Sequence, residues 1–260
     1  MPARNPLTAQ VTRVARIFSP LGATDGKWFT MADTLNQLPT ATASDSTTVA
    51  VGTHPEFVVS SSTANAATRT FPAVLTGRGG ITITTANASG DSARLRGAAT
   101  SRYVNIIPSS TVAVEIEGTI RTPSAITTMA IYWGLKKTTA NETYTTDADE
   151  AFFVYDTTSA GTGASLANWN TYHRVATGTP VITDLGTSYA VAVSTAYRFR
   201  IYIGTDLKPR FYINNALVRT ETTALTAATT YLFVAGVISR TTATRSIDVT
   251  DIRVSSNSTT

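Results

Sequence analysis

Short runs of alternating apolar and polar residues dominate the chain from Val49 onward. In residues 197–203, Tyr-Arg-Phe-Arg-Ile-Tyr-Ile, Phe199, Ile201 and Ile203 share one face with Tyr197, whereas the arginines share the other. Successive side chains of a β-strand point to opposite faces, so this period of two predicts a strand with one buried face. No later stretch sustains a helical period. The pattern predicts an all-β fold.

Turn residues separate these runs at intervals typical of a sandwich of two packed sheets. Asn214-Asn215 is the clearest hairpin signal, because asparagine tolerates the positive φ angles of a two-residue type I′ turn. With the loop at 204–208, it predicts a three-stranded meander. The predicted strands are residues 56–60, 73–76, 80–85, 93–97, 103–107, 111–121, 127–135, 151–156, 171–176, 189–193, 197–203, 209–213, 216–220, 230–238 and 246–254.

The first 48 residues have a different character. They contain four prolines, and their basic residues come without any acid before Asp25. Residues 11–18 alternate enough for one strand, and Thr30 can cap a short helix over residues 31–38 that Pro39 ends. We therefore predict an extended N-terminal arm with one short helix (1–48), a β-sandwich (49–255) and a polar C-terminal tail (256–260).

Composition limits the functions that are open to the chain. Only 15% of its 260 residues are charged, against about 25% in typical globular proteins, and Thr, Ser and Ala take their place. Ser and Thr lose little side-chain entropy at an interface, so such a surface suits packing in an ordered lattice. Low charge also occurs in secreted adhesins. A net charge of +4 is too dilute to indicate a nucleic-acid partner.

Several kinds of site are excluded or disfavoured. The chain has no cysteine, which excludes disulfides, thiolate metal sites and a cysteine nucleophile. No apolar window approaches about 18 residues, so we expect neither a signal peptide nor a membrane span. His54 and His173 are the only histidines, and both are expected to be structural or surface residues. No phosphate loop, nucleophile elbow or zinc-protease motif occurs.

Glu115 and Glu117 form the best enzymatic candidate. Residues two apart on a strand share a face, and paired carboxylates perform glycoside hydrolysis. Alternating glutamates on the solvent face of an amphipathic strand explain the same pattern without chemistry. We expect no catalytic role for them and hence no enzyme.

Two binding sites are also conceivable. Asp147, Asp149 and Glu150 could ligate calcium, although their spacing matches no recognised calcium loop, so a solvated turn is favoured and no metal or cofactor is expected.

Aromatic side chains could stack on a sugar. Trp133 lies in an apolar run and is expected in the core. Trp169 lies between two asparagines, which favours exposure, although a place in the core or at its rim explains such aromatic residues without a ligand. In a carbohydrate-binding protein, Trp169, Asn170 and Tyr172 would form the sugar-binding residues.

The hairpin region also carries a resemblance. The strand at 197–203, the hairpin at 209–219 and the final strand at 246–254 resemble the C-terminal half of concanavalin-A-like jelly rolls, the superfamily of lectins, laminin-G domains and glucanases, over roughly residues 50–255. Glucanases of this fold carry their catalytic acids on one strand, but Thr119 and Ile120 stand here where a third acid would follow. Residues 79–95 resemble sandwich domains of structural proteins in tailed bacteriophages.

The resemblance implies a non-enzymatic virion protein, most specifically a capsid cement or decoration protein at the capsid surface. Its partners would be the major capsid protein, copies of itself in a homo-oligomer, or both, with no nucleic acid and no membrane. The alternative is a carbohydrate-binding or receptor-binding module of a tail fibre or adhesin. In the first case the arm would supply the contacts, namely Arg4, Arg13, Arg16, Phe18, Trp28, Phe29, Met31, Leu35 and Leu38.

Overall fold

The structure is a computed structural model that describes residues 27–33, 41–43, 49–51, 54–61, 67–70, 80–97, 105–137, 144, 149–158, 161, 163–176 and 178–258. These residues form two antiparallel sheets, which confirms the all-β, two-sheet prediction. The strands are β1 Lys27–Asp33, β2 Ala41–Ala43, β3 Val49–Val51, β4 His54–Ser61, β5 Ala67–Thr70, β6 Gly80–Thr84, β7 Ser92–Gly97, β8 Asn105–Ile106, β9 Val112–Arg121, β10 Met129–Lys136, β11 Glu150–Asp156, β12 Asn170–Arg174, β13 Val181–Asp184, β14 Ala196–Ile203, β15 Pro209–Ile213, β16 Ala216–Thr220, β17 Tyr231–Ser239 and β18 Ser246–Ser258.

Strands distant in sequence lie side by side in both sheets. Sheet I has the order β16-β15-β14-β9-β18-β6-β5-β2, and β1 also pairs with β18. Sheet II has the order β13-β12-β11-β10-β17-β7-β4-β3, and β8 also pairs with β17. The C-terminal strand β18 therefore lies at the centre of sheet I, between β9 and the strands β6 and β1.

Aromatic side chains hold the two sheets together. Trp133 of sheet II is fully buried, as expected, and its ring centroid lies 5.7 Å from that of Phe199 in sheet I. Phe153 stacks on Phe199 with centroids 4.5 Å apart and meets Phe211 edge-on. Such aromatic pairs contribute beyond the area they bury. The apolar face predicted for residues 197–203 is the one that faces this core.

The central strands of sheet II are buried on both of their faces. Every residue of β10, β11 and β17 is buried, which fits their nearly continuous apolar sequences. On the outer face, Tyr132 lies across Gly236, where an added Cβ would come within 2.2 Å of its ring. Tyr144, from the segment between β10 and β11, packs on Tyr132 and Tyr172. In sheet I, by contrast, the outward residues of β14 and β15 are partly or fully exposed.

The hairpin prediction is confirmed, and one strand prediction is wrong. Asn214 and Asn215 connect β15 to β16 with φ angles of 51° and 71°. Residues 189–193 do not form the predicted strand. Thr187–Tyr189 form a single turn of 3-10 helix, and the chain then makes only one isolated bridge, between Ala190 and Asn168. The strand of this region is β13, a short and partly exposed edge strand that was not predicted.

The boundaries of the predicted arm and tail also change. Met31 lies in β1, which pairs with β18 over seven residues, so the helix predicted over 31–38 does not begin there. A short isolated helix is marginal in water, whereas pairing with β18 satisfies the backbone. Strands β1 and β2 extend the sandwich into the predicted arm, and β18 continues to Ser258, inside the predicted tail.

Three of the nine predicted arm contacts lie in a described strand. Trp28, Phe29 and Met31 belong to β1. Outside the described residues lie Arg4, Arg13, Arg16, Phe18, Leu35, Leu38, the strand expected at 11–18 and the strand expected at 73–76. Within the described part of the chain, no helix is long and apolar enough to cross a membrane.

Candidate binding face

The outer face of sheet I presents rows of charged and aromatic side chains. Arg200 of β14 lies opposite Glu117 of β9 on one side and opposite Tyr212 of β15 on the other. In the next row, Tyr202 lies between Glu115 and Arg210. Across β14 and β15, each arginine of these two rows therefore lies opposite a tyrosine. We call Arg198, Arg200, Tyr202, Arg210 and Tyr212 the Arg–Tyr face.

Ion pairs fix the arginines of this face. Arg198 Nε lies 2.5 Å from Glu117 Oε1, and Arg200 Nη1 lies 3.6 Å from Glu115 Oε2. Arg210 donates two hydrogen bonds to Asp206, at 3.0 and 2.7 Å. The paired oxygens of a carboxylate match the fork of a guanidinium, so this last pair is geometrically well defined.

The same arginines stack on the tyrosines. Arg200 Cζ lies 3.8 Å from the centroid of the Tyr212 ring, and Arg210 Cζ lies 5.7 Å from that of Tyr202. Cation–π contacts at this range contribute about 0.5–1 kcal/mol at exposed sites. The contact also orders both side chains before any ligand arrives.

In two of the three ion pairs the arginine is more exposed than its carboxylate, whereas Asp206 is more exposed than Arg210. The Arg198 side chain is 51% exposed whereas that of Glu117 is 9% exposed, and Arg200 and Glu115 have exposed fractions of 29% and 18%. Burial raises the pKa of Glu115, and the nearby Arg200 opposes that rise. A partner that approached the first two pairs would therefore meet hydrogen-bond donors with positive charge before it met the acids.

The two glutamates share a face, as the spacing predicted, but in an arrangement unlike a free pair of acids. Each carboxylate has its own arginine partner, and Glu117 is covered rather than fully solvent-facing. A glycosidase needs one carboxylic acid to protonate the leaving oxygen and one carboxylate to act as base or nucleophile. The carboxylates of Glu115 and Glu117 instead lie against the guanidinium groups of Arg200 and Arg198.

The sugar-stacking prediction for Trp169 is wrong. Trp169 is fully buried and packs edge-on against Phe199, with ring centroids 4.8 Å apart. Its backbone N–H donates to the Tyr189 carbonyl, and its carbonyl accepts from the Leu185 N–H. These bonds hold the residue at the start of β12 with its ring directed between the sheets. The flanking asparagines suggested exposure, but they are satisfied inside the protein.

The other two residues of that predicted site are also buried. The Asn170 amide oxygen accepts from the Ser165 N–H, and its nitrogen donates to the carbonyls of Ser165, Asn168 and Val154. Tyr172 lies on the opposite face of β12 from Trp169, beneath Tyr144. The three residues therefore do not form one surface, and none is exposed.

The conceivable calcium ligands serve other purposes. Asp149 accepts hydrogen bonds from Thr226 at 2.8 Å and from the Ala176 N–H, and Lys137 Nζ lies 3.3 Å away. Glu150 is buried within β11, and Asp147 lies outside the described residues. No three His, Asp or Glu side chains in the described part of the chain gather closely enough to hold a metal ion.

The two histidines occupy different positions. His173 lies on the inner face of β12, buried, with Nδ1 3.9 Å from Glu221 Oε2. Burial lowers the pKa of His173, although the charges of Glu221 and Asp149 oppose that effect. His54 begins β4. His173 is thus a structural residue, as its place in a strand-like run suggested.

Comparison with known proteins decides the fold type. No protein family model matches the chain, and no curated protein matches its sequence. An endo-1,3-β-glucanase from Streptomyces sioyaensis superposes with a TM-score of 0.53 at 12% identity, over 92% of this chain and 99% of the other. This chain has the concanavalin-A-like jelly-roll fold. The Emp47p carbohydrate recognition domain gives 0.51 at 10% identity, over 82% and 93% of the two chains.

A further jelly-roll neighbour has no assigned function. The protein SO2946 from Shewanella oneidensis MR-1 superposes with a TM-score of 0.52 at 14% identity, over 93% of this chain and 91% of the other. Identities this low establish a shared fold and no shared activity. The function of this jelly roll has to be argued from its own surface.

Sequence reasoning identified the strand of the Arg–Tyr face but not the face itself. The outward positions of residues 197–203 and 209–213 are Arg, Arg, Tyr and Arg, Tyr. This concentration of arginine and tyrosine on one face was visible in the sequence. The register of β14 against β15, which stacks Arg200 on Tyr212, depends on the hairpin loop. The signal therefore became meaningful only once the pairing was known.

Proposed function

We propose that this chain is a non-enzymatic structural protein that is built into a larger assembly through a face of its sandwich. Within that class we propose a capsid cement or decoration protein of a tailed bacteriophage. It would be located at the capsid surface and would bind the major capsid protein, further copies of itself, or both. This finer assignment rests on the resemblance of residues 79–95 and on the hydroxyl-rich composition.

One observation carries the non-enzymatic part of the proposal. Glu115 and Glu117, the two acids that share one face of β9, lie beneath arginines that pair with them. Paired and covered carboxylates stabilise a surface, but they are poorly placed to exchange protons with a substrate. The other polar clusters of the described residues, around Asp149 and Asp156, are hydrogen-bonded inside the protein.

A carbohydrate-binding module is the second candidate, because the chain shares its fold with the Emp47p carbohydrate recognition domain. Trp169 and Tyr172, the aromatic residues predicted to contact a sugar, are buried. Tyr202 and Tyr212 are the partly exposed aromatic residues that remain on the open face, and an arginine lies over each ring. This arrangement favours protein docking over sugar stacking.

Two measurements separate these functions. We expect the chain to be present at a fixed copy number per particle in purified virions, as quantified by mass spectrometry, and to show no binding on a glycan array. Absence from the particles together with selective glycan binding would support the carbohydrate module instead. Hydrolysis of β-glucan by the purified chain would refute the non-enzymatic proposal.

A further inference from the structure

The Arg–Tyr face has the properties of a pre-ordered docking surface. One row of side chains runs across five neighbouring strands, with the register fixed by the sheet: Arg253, Glu117, Arg200, Tyr212 and Leu217. Strands lie about 4.8 Å apart, so such a row spans about 19 Å. Leu217, at the end of the row, is 53% exposed. The surface is thus broad, and it ends in an exposed apolar side chain.

Arg200 retains donors that the protein does not use. Its Nη1 lies 3.6 Å from Glu115 Oε2, beyond ordinary hydrogen-bond distance. Its Nε has no hydrogen-bond partner among the residues that the structure describes, but that atom is buried and is not open to a ligand. The stacking on Tyr212 at 3.8 Å holds the guanidinium plane in place. A guanidinium that is fixed but not saturated suits a carboxylate from outside, because little further entropy is lost on binding.

The stacking also bears on which ligand fits. A pyranose ring would need an open aromatic face, and the guanidinium of Arg200 already lies over the ring of Tyr212. Arginine and tyrosine are, in contrast, the residues enriched at the energetic centres of protein interfaces. At the Arg198–Glu117 and Arg200–Glu115 pairs the arginine is more exposed than its acid, so the surface complementary to this part of the face is acidic.

We infer that the Arg–Tyr face docks this chain onto an acidic surface of a neighbouring protein, with Arg200 as the central contact. This inference rests on the proposed function and names the surface that the assembly would use. It assigns the contact to the sandwich itself, whereas the sequence assigned it to the N-terminal arm.

The probe is poly-L-glutamate, a polypeptide that carries only carboxylates, measured by biolayer interferometry against the immobilised full chain at low and physiological salt. Sodium alginate is the acidic glycan probe. The variants are Arg200→Gln, Arg200→Lys and the control Arg245→Gln. Arg245 donates to Thr128 from the loop before β18, away from the Arg–Tyr face, and the control removes the same charge.

We expect wild-type binding of poly-L-glutamate to weaken about tenfold in Arg200→Gln and several-fold in Arg200→Lys, since an ammonium lacks the planar fork. Arg245→Gln should bind like the wild type, and all variants should melt within a few degrees of it. Equal losses in Arg200→Gln and Arg245→Gln would show a non-specific charge effect and overturn the inference. Tighter, Arg200-dependent binding of alginate would overturn it in favour of a glycan, and absence of binding to either probe would also overturn it.

These outcomes are separable from the proposed function. If the chain is present in purified virions at fixed copy number while Arg200→Gln is incorporated normally, the structural function stands and this docking surface is wrong. If the chain is absent from virions, the proposed function itself fails, whatever the probe measurements show.

Discussion

At the scale of single residues, burial separates structural side chains from functional ones. Trp169 packs between the sheets against Tyr155, Tyr197 and Phe199. Truncating a buried aromatic residue to alanine typically costs about 3–5 kcal/mol. We therefore expect Trp169→Ala to lower the free energy of unfolding by about that amount in urea titration, and Trp169→Phe to cost much less.

Fluorescence gives an independent check of the same residue. Iodide should quench Trp169 emission poorly, which a comparison of wild type with Trp169→Phe would reveal. Efficient quenching of the Trp169 component, with unchanged stability of Trp169→Ala, would contradict a buried ring and restore the sugar-binding interpretation.

His173 should make stability depend on pH. Burial holds the pKa of His173 below the unfolded value of about 6.5. The charge of Arg219 acts in the same direction, whereas those of Glu221 and Asp149 oppose it. The folded state then binds the proton less readily than the unfolded state. The stabilisation is complete above about pH 6.5 and is lost as the pH falls through and below that value.

We expect the free energy of unfolding to decrease from pH 7 to pH 5 in the wild type, and to decrease less steeply in His173→Asn. Chemical denaturation at several pH values measures both slopes, and His54→Asn serves as the histidine-removal control. An identical slope in His173→Asn and the wild type would show that His173 does not titrate in this range.

At the scale of strands and turns, the hairpin between β15 and β16 fixes the register of the Arg–Tyr face. Asn215 has a φ of 71°, in the left-handed region that most side chains avoid. The left-handed conformation costs a typical L residue roughly 1–2 kcal/mol. Asn215→Ala should thus destabilise the chain by about 1 kcal/mol, while Asn215→Gly should be nearly neutral. Equal melting temperatures for the two variants would argue against this turn geometry.

The glutamates of β9 provide a second prediction at this scale. Glutamine keeps the size and hydrogen-bonding capacity of glutamate, and the paired arginines remain partly exposed to water, so the double variant Glu115→Gln/Glu117→Gln should remain folded with only a modest loss of stability. Its behaviour towards β-glucan should match that of the wild type, with no reducing sugar released by either protein. A wild-type activity that disappears in the double variant would identify β9 as a catalytic strand.

The local sequence pattern predicted regular strands well but not the edge strand β13 or the burial of Trp169. Strands with strict alternation, such as β14, were placed almost residue by residue because a period of two is visible locally. Strand β13 was missed because its four residues form a partly exposed edge. Trp169 was misplaced because its burial depends on partners more than 15 residues away, including Tyr189 and Tyr197. No local pattern encodes such contacts.

For the whole molecule, the structure differs most from the sequence-based prediction in the N-terminal region. Strand β1 pairs with β18 over its full length, so residues predicted to reach a neighbour belong to the sandwich. We now expect Trp28→Ala/Phe29→Ala to lower the melting temperature of the isolated chain. Unchanged melting combined with lost incorporation into particles would instead support the arm that the sequence suggested.

Within the part of the molecule whose side chains the structure describes, the two sheets differ in their outer faces. Tyr144 and the aromatic cluster around it cover the central strands of sheet II, whereas β14 and β15 of sheet I present ordered arginines and tyrosines to solvent. This difference favours the Arg–Tyr face as the surface that meets a partner.

The most direct test of the account is an electron cryomicroscopy reconstruction of the native virion at side-chain resolution. The account predicts density for this jelly roll at a fixed position on the capsid surface, with the outer face of sheet I against a neighbouring protein and Arg200 beside an acidic side chain. A virion that lacks the chain would contradict the structural function. A virion that carries it with the outer face of sheet I open to solvent would contradict the docking surface.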